Sequence, residues 1–443
     1  MPQPQHHGTI HFSGSHKMRA IIQLFRGDLR HLPRVVVFSI LSISIYNIGW
    51  GFADPFFSLY LSGFSEQYSV IGIFRSLMVL IGILILIPLG DLLDRVSHIT
   101  LMNGAKIVYF FIGLFYFIAG QTGSVPILVI ALLLNGAMAP FVWVSTMATL
   151  RDYSTKKDAA LVSGFYITAY QLAGAIGLTA ALWLVWQYPI HYIFIPVMIF
   201  PLLSMFLTRG LQSTHNEPLL QGLRNVVVHD KLVMRWWNDV RHFSGELRWV
   251  YVLLLITTII PVIALTFLPL FAQSLGFSIV EIGVLLLAMS IPFFLSFIFA
   301  EFSDRFGRLR NVIIGLAVSA IAALCMVLFD EHGWQLYAFA ILFITGYAIL
   351  VPSLSGLVTV LAQKKNTGAA SATTDLVISI GAMLFAPIAG EMIDWLGWDG
   401  LFVVAAIALL FIMILVVLLQ TVFKKKNIVY HSVHKGKNEP YSI

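Results

Sequence analysis

Charged residues are scarce in this chain. Asp, Glu, Lys and Arg make up 11% of its 443 residues, whereas hydrophobic residues make up 59%. Soluble domains are about 25% charged and about 45–50% apolar. This composition excludes an ordinary soluble enzyme, a disordered protein and a nucleic-acid binder. The formal net charge of +6 therefore fits loops that face an anionic membrane surface better than it fits a DNA-binding face.

Other chemical features are missing as well. Cys325 is the single cysteine, so the chain cannot form an intramolecular disulfide. The sequence has no Gly-Lys-Ser/Thr phosphate-binding loop, which argues against ATP as the source of energy. Residues 1–33 contain no long apolar core, so we expect no cleavable signal peptide. No residue pattern indicates catalysis, a cofactor or a metal site, and we expect none of these.

Long apolar runs dominate the sequence instead. A run of roughly 20 residues crosses about 30 Å of hydrocarbon as a helix, which satisfies its own backbone hydrogen bonds in lipid. The alternating segments of a β-barrel, about ten residues long, are absent. We therefore predict an all-α integral membrane protein with twelve transmembrane helices. The runs fall near residues 35–61, 68–89, 100–120, 126–149, 159–186, 188–208, 248–274, 278–300, 311–329, 335–361, 368–390 and 398–422.

Lysine and arginine are absent from every second connection between these runs. All but two of the 27 lie in the remaining connections, at their edges or in the tails, and the two exceptions, Arg75 and Lys106, lie well inside runs. Positively charged loops remain in the cytoplasm. The pattern therefore predicts an even number of spans, with both termini in the cytoplasm, in a multi-pass protein of the cell membrane.

The two halves of the chain resemble each other at an offset of about 210 residues. YSVIG at 68–72 corresponds to IVEIG at 279–283, and the turn at 90–100 corresponds to the turn at 300–310. Substrate sites of such repeats lie at the interface between the repeats, near the bilayer midplane. We predict a cytoplasmic N-terminal tail (1–34), a six-helix bundle (35–208), a cytoplasmic central loop (209–247), a second six-helix bundle related by the repeat (248–422) and a cytoplasmic C-terminal tail (423–443).

The two turns resemble a signature of the major facilitator superfamily, G-x-L-x-D-R-x-G-R-[KR], which lies between the second and third helices of that family. The first copy has Ser97, His98 and Ile99 where the family has a glycine and a basic pair, and the second has Ala300 in place of the first glycine. The matching residues are Gly90, Leu92, Asp94 and Arg95 in the first copy, and Asp304, Arg305, Gly307, Arg308 and Arg310 in the second.

The resemblance covers nearly the whole chain outside the tails, and it implies a secondary transporter that works by alternating access. It also implies that the repeated turn is a conformational latch between the halves on the cytoplasmic side. A simple positively charged tether is the alternative for this motif. The expected latch residues are Gly90, Asp94, Arg95, Asp304, Arg305, Gly307 and Arg308.

Ionisable residues inside the predicted spans are functional candidates, because each costs about 2.5–3.5 kcal/mol at mid-bilayer on insertion scales. Asp54 and Arg75 lie at similar estimated depths on consecutive antiparallel helices, so they could pair. A structural ion pair and a role in substrate or proton coupling both remain open for them. Lys106 is expected to snorkel to the cytoplasmic headgroups. Asp375 belongs either to the latch, beside Arg95, or to the transport site.

A polar stripe on the first helix is consistent with a cavity wall, since its members fall on one helical face. In the family, helices 1, 4, 7 and 10 line the cavity. Hydrogen bonds between helices are the alternative role for each polar candidate. The substrate or coupling-ion candidates are Asn47, Trp50, Asp54, Arg75, Asn135, Tyr170, Tyr347 and Asp375.

These residues suit a small or amphipathic organic solute rather than a multiply charged phosphate. We expect transport to be driven by an ion gradient, with protons as a candidate coupling ion, and export is slightly favoured over uptake. The alternative function is a non-transporting membrane sensor or scaffold with the same fold. The expected partners are the solute and the lipid bilayer, without nucleic acid, and we expect a monomer.

Cysteine accessibility tests the predicted topology. In a background that carries Cys325→Ala, we expect Gly123→Cys to react with a membrane-impermeant maleimide in intact cells. Lys156→Cys should react only after the membrane is permeabilised, because it lies in a cation-rich connection. The reverse pattern of labelling would show that the chain is inserted the other way round.

Overall fold

The computed structural model describes residues 32–93, 95–154, 159–211, 243–328, 333–362 and 367–425. Within these ranges the chain is almost entirely helical and has no β-strand, which confirms the prediction of an all-α protein. Most of the predicted tails (1–34 and 423–443) and of the central loop (209–247) lies outside the described residues.

The helices follow the predicted apolar runs closely. A short 3₁₀ turn, Ile190–Ile193, precedes the helix that begins at Phe194, and a π-helical segment, Ile263–Phe267, precedes the helix that begins at Leu268. The first half of the chain contains α1 (Arg34–Ala53), α2 (Phe57–Ser62), α3 (Tyr68–Leu93), α4 (His98–Thr122), α5 (Val125–Tyr153), α6 (Ala159–Gln187) and α7 (Phe194–Thr208). The second half contains α8 (Gly245–Thr257), α9 (Ile259–Val262), α10 (Leu268–Ser274), α11 (Ile279–Met289), α12 (Ile291–Phe294), α13 (Ser296–Phe306), α14 (Arg308–Leu328), α15 (Trp334–Leu361) and α16 (Thr367–Lys425).

Ten helical segments in the described part of the chain are long and apolar enough to cross a membrane. The longest apolar segment, within α16, has 46 residues. At 1.5 Å per residue this is roughly twice the thickness of the hydrocarbon layer. The backbone of α16 leaves helical geometry at Gly397, with φ 73° and ψ −177°, a region that glycine enters without steric cost. Ile279–Phe294 forms a shorter apolar stretch.

Close helix packing builds the interior of each half. In the first half α1 packs against α6 and α7, and α4 packs against α5. In the second half α14 packs against both α15 and α16. Large side chains such as Phe57, Tyr109, Phe194, Phe343 and Phe402 are buried in one continuous core. Because lipid tails are as apolar as these side chains, the fit between helices, rather than the hydrophobic effect, holds them together.

The two halves of the chain meet most closely where α3 crosses α16. A Cβ atom placed on Gly72 would overlap the backbone of Ala386, and one placed on Gly390 would overlap the backbone of Tyr68. Small residues of this kind let helix backbones touch in a membrane. Ser76 Oγ also donates a hydrogen bond of 2.6 Å to the carbonyl oxygen of Met383. We call this crossing the α3–α16 contact.

Lys106 does not reach toward the headgroups as the sequence led us to expect. Its side chain is buried, and Nζ donates to Ser42 Oγ at 2.6 Å. Ser42 Oγ in turn donates to the carbonyl oxygen of Ser204 at 2.6 Å. Lys106 forms no ion pair with a carboxylate among the described residues. The ammonium group is therefore held inside the first half by hydroxyl and carbonyl oxygens that link α4, α1 and α7.

Removing this buried charge should not weaken the fold. An apolar residue of similar volume in place of a buried charge is often neutral or stabilising, since it removes the cost of desolvation. We therefore expect Lys106→Met to keep or raise the melting temperature of the purified protein, by about 2–4 °C for each kcal/mol gained. Lys106→Ala, which also removes the packing of the side chain, should lower it. Equal losses in both variants would show that the ammonium stabilises the fold.

Candidate functional site

A cavity of about 580 Å³ lies between the two halves of the chain. From the first half it is lined by α1, α3 and α6 and by the loop that follows α1. From the second half it is lined by α9, the π-helical segment, α11, α12, α15 and α16 and by residues at their ends. Six of the eight predicted substrate or coupling-ion residues line it: Asn47, Trp50, Asp54, Arg75, Tyr170 and Tyr347.

Asp54 and Arg75 are the ionisable pair of this cavity. Arg75 Nη1 lies 3.7 Å from Asp54 Oδ1, and Arg75 Nη2 donates to Ser58 Oγ at 3.3 Å. The guanidinium carbon lies 4.8 Å from the centroid of the Phe57 ring, a distance at which a cation is attracted to the ring face. The side chain of Arg75 is 14% exposed and that of Asp54 is 56% exposed. The arginine is thus held by its neighbours, whereas the carboxylate faces the cavity.

A proline explains why Asp54 stands where it does. Pro55 follows it directly, and proline has no backbone N–H with which to continue the helical hydrogen bonds. Helix α1 therefore ends at Ala53, and the Asp54 N–H donates to the carbonyl oxygen of Trp50 at 2.9 Å. The chain resumes as α2 at Phe57. The carboxylate consequently projects from a break between two helices, beside the cavity.

Asn47 and Tyr170 join two of the three helices that form the wall on the side of the first half. Asn47 Nδ2 donates to the carbonyl oxygen of Tyr170 at 2.8 Å, which ties α1 to α6. The ring of Tyr170 stacks on Tyr166 at 6.0 Å and meets Trp143 edge-on at 5.4 Å. Trp50 packs edge-on against Tyr109 at 6.0 Å. This part of the wall is therefore largely aromatic, and the amide of Asn47 is already hydrogen-bonded.

The wall on the side of the second half is mostly apolar and aromatic. Tyr347 meets Phe293 edge-on, with ring centroids 6.4 Å apart, and both residues line the cavity. The hydroxyls of Thr258 and Ser290 donate to carbonyl oxygens one turn back in the chain. Such bonds to the residue four positions earlier leave these hydroxyls with acceptor capacity toward the cavity.

Two of the predicted candidates are not brought to the cavity. Asn135 is 1% exposed; it accepts from Tyr109 Oη at 3.0 Å and donates to Tyr116 Oη at 3.2 Å. It therefore serves as a hydrogen-bonding centre inside the first half. Asp375 is exposed on α16 and is not among the residues that line the cavity.

Glu281, an acidic residue near the predicted outer face, has a local role. Its carboxylate accepts from the backbone N–H and the Oγ of Ser278, while Ser278 Oγ accepts from the Glu281 N–H. This is a capping box that begins α11.

The described latch residues lie near the end of α3, at the end of α13 and at the start of α14. Asp94 lies outside the described residues, as does the side chain of Asp304. Gly90 is exposed, and a Cβ there would meet no described atom within 4 Å. Arg305 pairs with Glu301 one turn earlier, and both are exposed. Arg308 Nη1 donates to the carbonyl oxygen of Gly356, in the same half of the chain, and Gly307 ends α13.

Contacts between the halves lie at the opposite end of the molecule. The carboxylate of Asp394, on α16, accepts from the backbone N–H groups of Tyr68 and Ser69, at 2.9 Å each. These N–H groups begin α3, where the helix dipole favours a negative charge. The ring of Tyr68 also meets Trp398 edge-on at 4.8 Å. Asp394 thus fastens the first residues of α3 to the second half.

Several lining residues were not singled out from the sequence, among them Met78, Thr266, Ser290 and Phe293. Their signal was weak, since each is an ordinary residue of an apolar run. The prolines at 261 and 292 were a sequence signal for this wall, because proline interrupts helical hydrogen bonding. Both lie beside the helix breaks that shape the wall.

Comparisons with known proteins agree with this architecture. The family model described as Major Facilitator Superfamily matches residues 39–300 and 263–430. No curated protein matches the chain at a significant level.

Solved structures share the fold at low sequence identity. The crystal structure of the human organic anion transporter MFSD10 (TETRAN) is 14% identical with a TM-score of 0.62, and the match covers 86% of this chain and 99% of that one. A crystal structure of the nucleoside transporter NupG is 14% identical with a TM-score of 0.66, and covers 87% and 99% respectively. Since the family model spans most of the sequence, this multi-pass membrane protein belongs to the Major Facilitator Superfamily, a family of transporters rather than of enzymes.

Proposed function

We propose that this secondary transporter carries a small organic solute across the cell membrane by alternating access. The observation that supports this best is the cavity of about 580 Å³ between the halves, with Asp54 and Arg75 in its wall. That volume suits one drug-sized or metabolite-sized molecule. The two similar structures are those of an organic anion transporter and a nucleoside transporter, which are carriers of small organic solutes.

The membrane topology belongs to the same proposal. We assign two spans to α16, separated at Gly397, and one span to Ile279–Phe306, which comprises α11, α12 and α13. With the other apolar segments this gives twelve spans in two six-helix bundles, 35–208 and 248–422, with both termini in the cytoplasm. The length of α16 and the cation-free connections support this assignment.

The position of the contacts between the halves supports alternating access. The Asp394 bonds and the α3–α16 contact hold the halves together at the end away from the cation-rich turns. Rocking of one half against the other would break these bonds and bring the turns that contain Gly90, Arg95, Arg305 and Arg308 together. We assign the latch to those turns in that second state, with Asp94 and Asp304 as its acidic members.

The same cavity residues also suit coupling to protons. A cavity-facing carboxylate such as Asp54 can exchange a proton with water and can also meet the solute, which is the requirement for coupling the two. We therefore take protons as the coupling ion and export as the favoured direction. Substrate-dependent flux in proteoliposomes, with and without a pH gradient, tests the proposal. A protein that binds ligand without any flux would instead be the sensor or scaffold.

The Asp54–Arg75 pair should respond unequally to its two single neutral substitutions. Asp54→Asn leaves a mostly buried guanidinium without its carboxylate, whereas Arg75→Gln leaves a half-exposed carboxylate that water can solvate. We expect Asp54→Asn to destabilise the protein by about 1 kcal/mol or more, and Arg75→Gln by less. The double variant should recover stability relative to Asp54→Asn.

Melting temperatures and proteoliposome flux of the three variants provide the measurement. A coupling role predicts that the double variant folds but does not transport. If it transports at the normal rate, the pair is only structural. A coupling energy near zero in the double-mutant cycle would show that the two residues do not interact.

Asp394 should control the balance between the two states of the transporter. Asp394→Asn removes the charge from the start of α3, a contact worth up to about 1 kcal/mol at an exposed site. We expect a shift of up to about fivefold toward the state that opens this end. Spin labels at Ser124→Cys and Gly333→Cys, in a Cys325→Ala background, should report a larger population of long distances by pulsed electron resonance.

Asp399→Asn is the matched control, because Asp399 is an exposed acid five residues away in sequence, on the other side of Gly397. It should leave the distances unchanged. An unchanged distance distribution in Asp394→Asn would remove Asp394 from the gating mechanism.

A further inference from the structure

The two charges of the cavity are not equally available to a solute. The side chain of Asp54 is 56% exposed, and it projects from the break between α1 and α2. The side chain of Arg75 is 14% exposed. Although the pair is neutral as a whole, the charge that an incoming molecule meets first is therefore negative.

The guanidinium of Arg75 is already engaged on several sides. Asp54 Oδ1 lies 3.7 Å away, Ser58 Oγ accepts a hydrogen bond, and the face of the Phe57 ring covers the group. Its Nε is buried and has no hydrogen-bond partner among the described residues. A carboxylate or phosphate on the solute would have to displace Asp54 and would face repulsion from it, so the site disfavours anions.

Aromatic rings supply much of the remaining wall. Trp50, Tyr170, Phe293 and Tyr347 all line the cavity. The faces of such rings carry a negative electrostatic potential that attracts cations, and their area accommodates an apolar body. On the opposite wall, the uncharged hydroxyls of Thr258 and Ser290 add weak hydrogen-bond acceptors.

We propose, on the basis of the transport function above, that this cavity selects organic monocations, with the positively charged nitrogen beside the Asp54 carboxylate and the apolar body between the aromatic walls. Arg75 then serves as a positioning residue. It holds the Asp54 carboxylate from one side and leaves the opposite side to the solute. Arg75 and Asp54 are 3.7 Å apart and do not form a close bidentate pair. The carboxylate can therefore turn toward a cation without breaking such a pair.

Three small probes of matched shape separate charge from size. Benzyltrimethylammonium carries a permanent positive charge, neopentylbenzene has the same shape without charge, and phenylacetate carries a negative charge on a similar body. We expect the full-length protein in detergent to bind the ammonium probe at least about tenfold more tightly than the other two, by calorimetric titration. The tenfold preference should disappear in Asp54→Asn and persist in Asp54→Glu and in the control Asp399→Asn.

The double variant Asp54→Asn/Arg75→Gln covers the case in which Asp54→Asn alone fails to fold, and it too should show no preference for the cation. Binding of phenylacetate in preference to the ammonium probe overturns the proposal, as does undiminished binding of the cation by a folded protein that lacks the Asp54 carboxylate. Undetectable binding of the cation by the unmodified protein also overturns it. The proteoliposome flux measurement tests the transport function independently of ligand binding. If the protein prefers and moves anions, the transport function stands and the cation proposal fails. If it binds the cation and moves nothing, the cation site stands and the transport function fails.

Discussion

The direct backbone contact between α3 and α16 is the constraint on which the rest of the structure depends. Gly72 and Gly390 let the two helices touch, and Asp394 then reaches the first N–H groups of α3. The cavity between the halves borders this contact, since Ala386 belongs to both. A larger side chain at either glycine would separate the helices and change the shape of the cavity wall, to which α3 contributes Arg75 and α16 contributes Ala386.

Within each half, several buried polar groups are satisfied by nearby partners, which is favourable in a low-dielectric interior. Asn135 bonds to two tyrosines, Lys106 bonds to a serine, and Thr258 bonds to its own helix. The cavity differs because its carboxylate is half exposed and loosely paired. This contrast is the physical basis for assigning function to Asp54 and structural roles to the buried polar residues.

The sequence was informative wherever a feature depends on local composition. Apolar run length predicted the helices, and the position of Asp54 and Arg75 on consecutive runs placed them at a common level. It was less informative about orientation around a helix axis. Asn135 and Asp54 are both polar residues in apolar runs, yet one faces the core and the other the cavity. Lys106 was expected at the surface because long side chains often snorkel, and only the packing of three helices shows that it turns inward. Asp394 was not singled out from the sequence, since its partner lies 326 residues away in sequence.

The π-helical segment Ile263–Phe267 adds an asymmetry between the two walls of the cavity. Leu265 and Thr266 lie in it and line the cavity. A π-helical turn contains one more residue than an α-helical turn, and it stays only where tertiary contacts favour it. If this turn relaxed to α-helical geometry, the residues after it would rotate by about 100° and shift by about 1.5 Å along the axis. A neighbouring side chain would then take the place of the Thr266 hydroxyl in the wall. One helix could thus present two different chemical surfaces to a solute while the two halves stay in place.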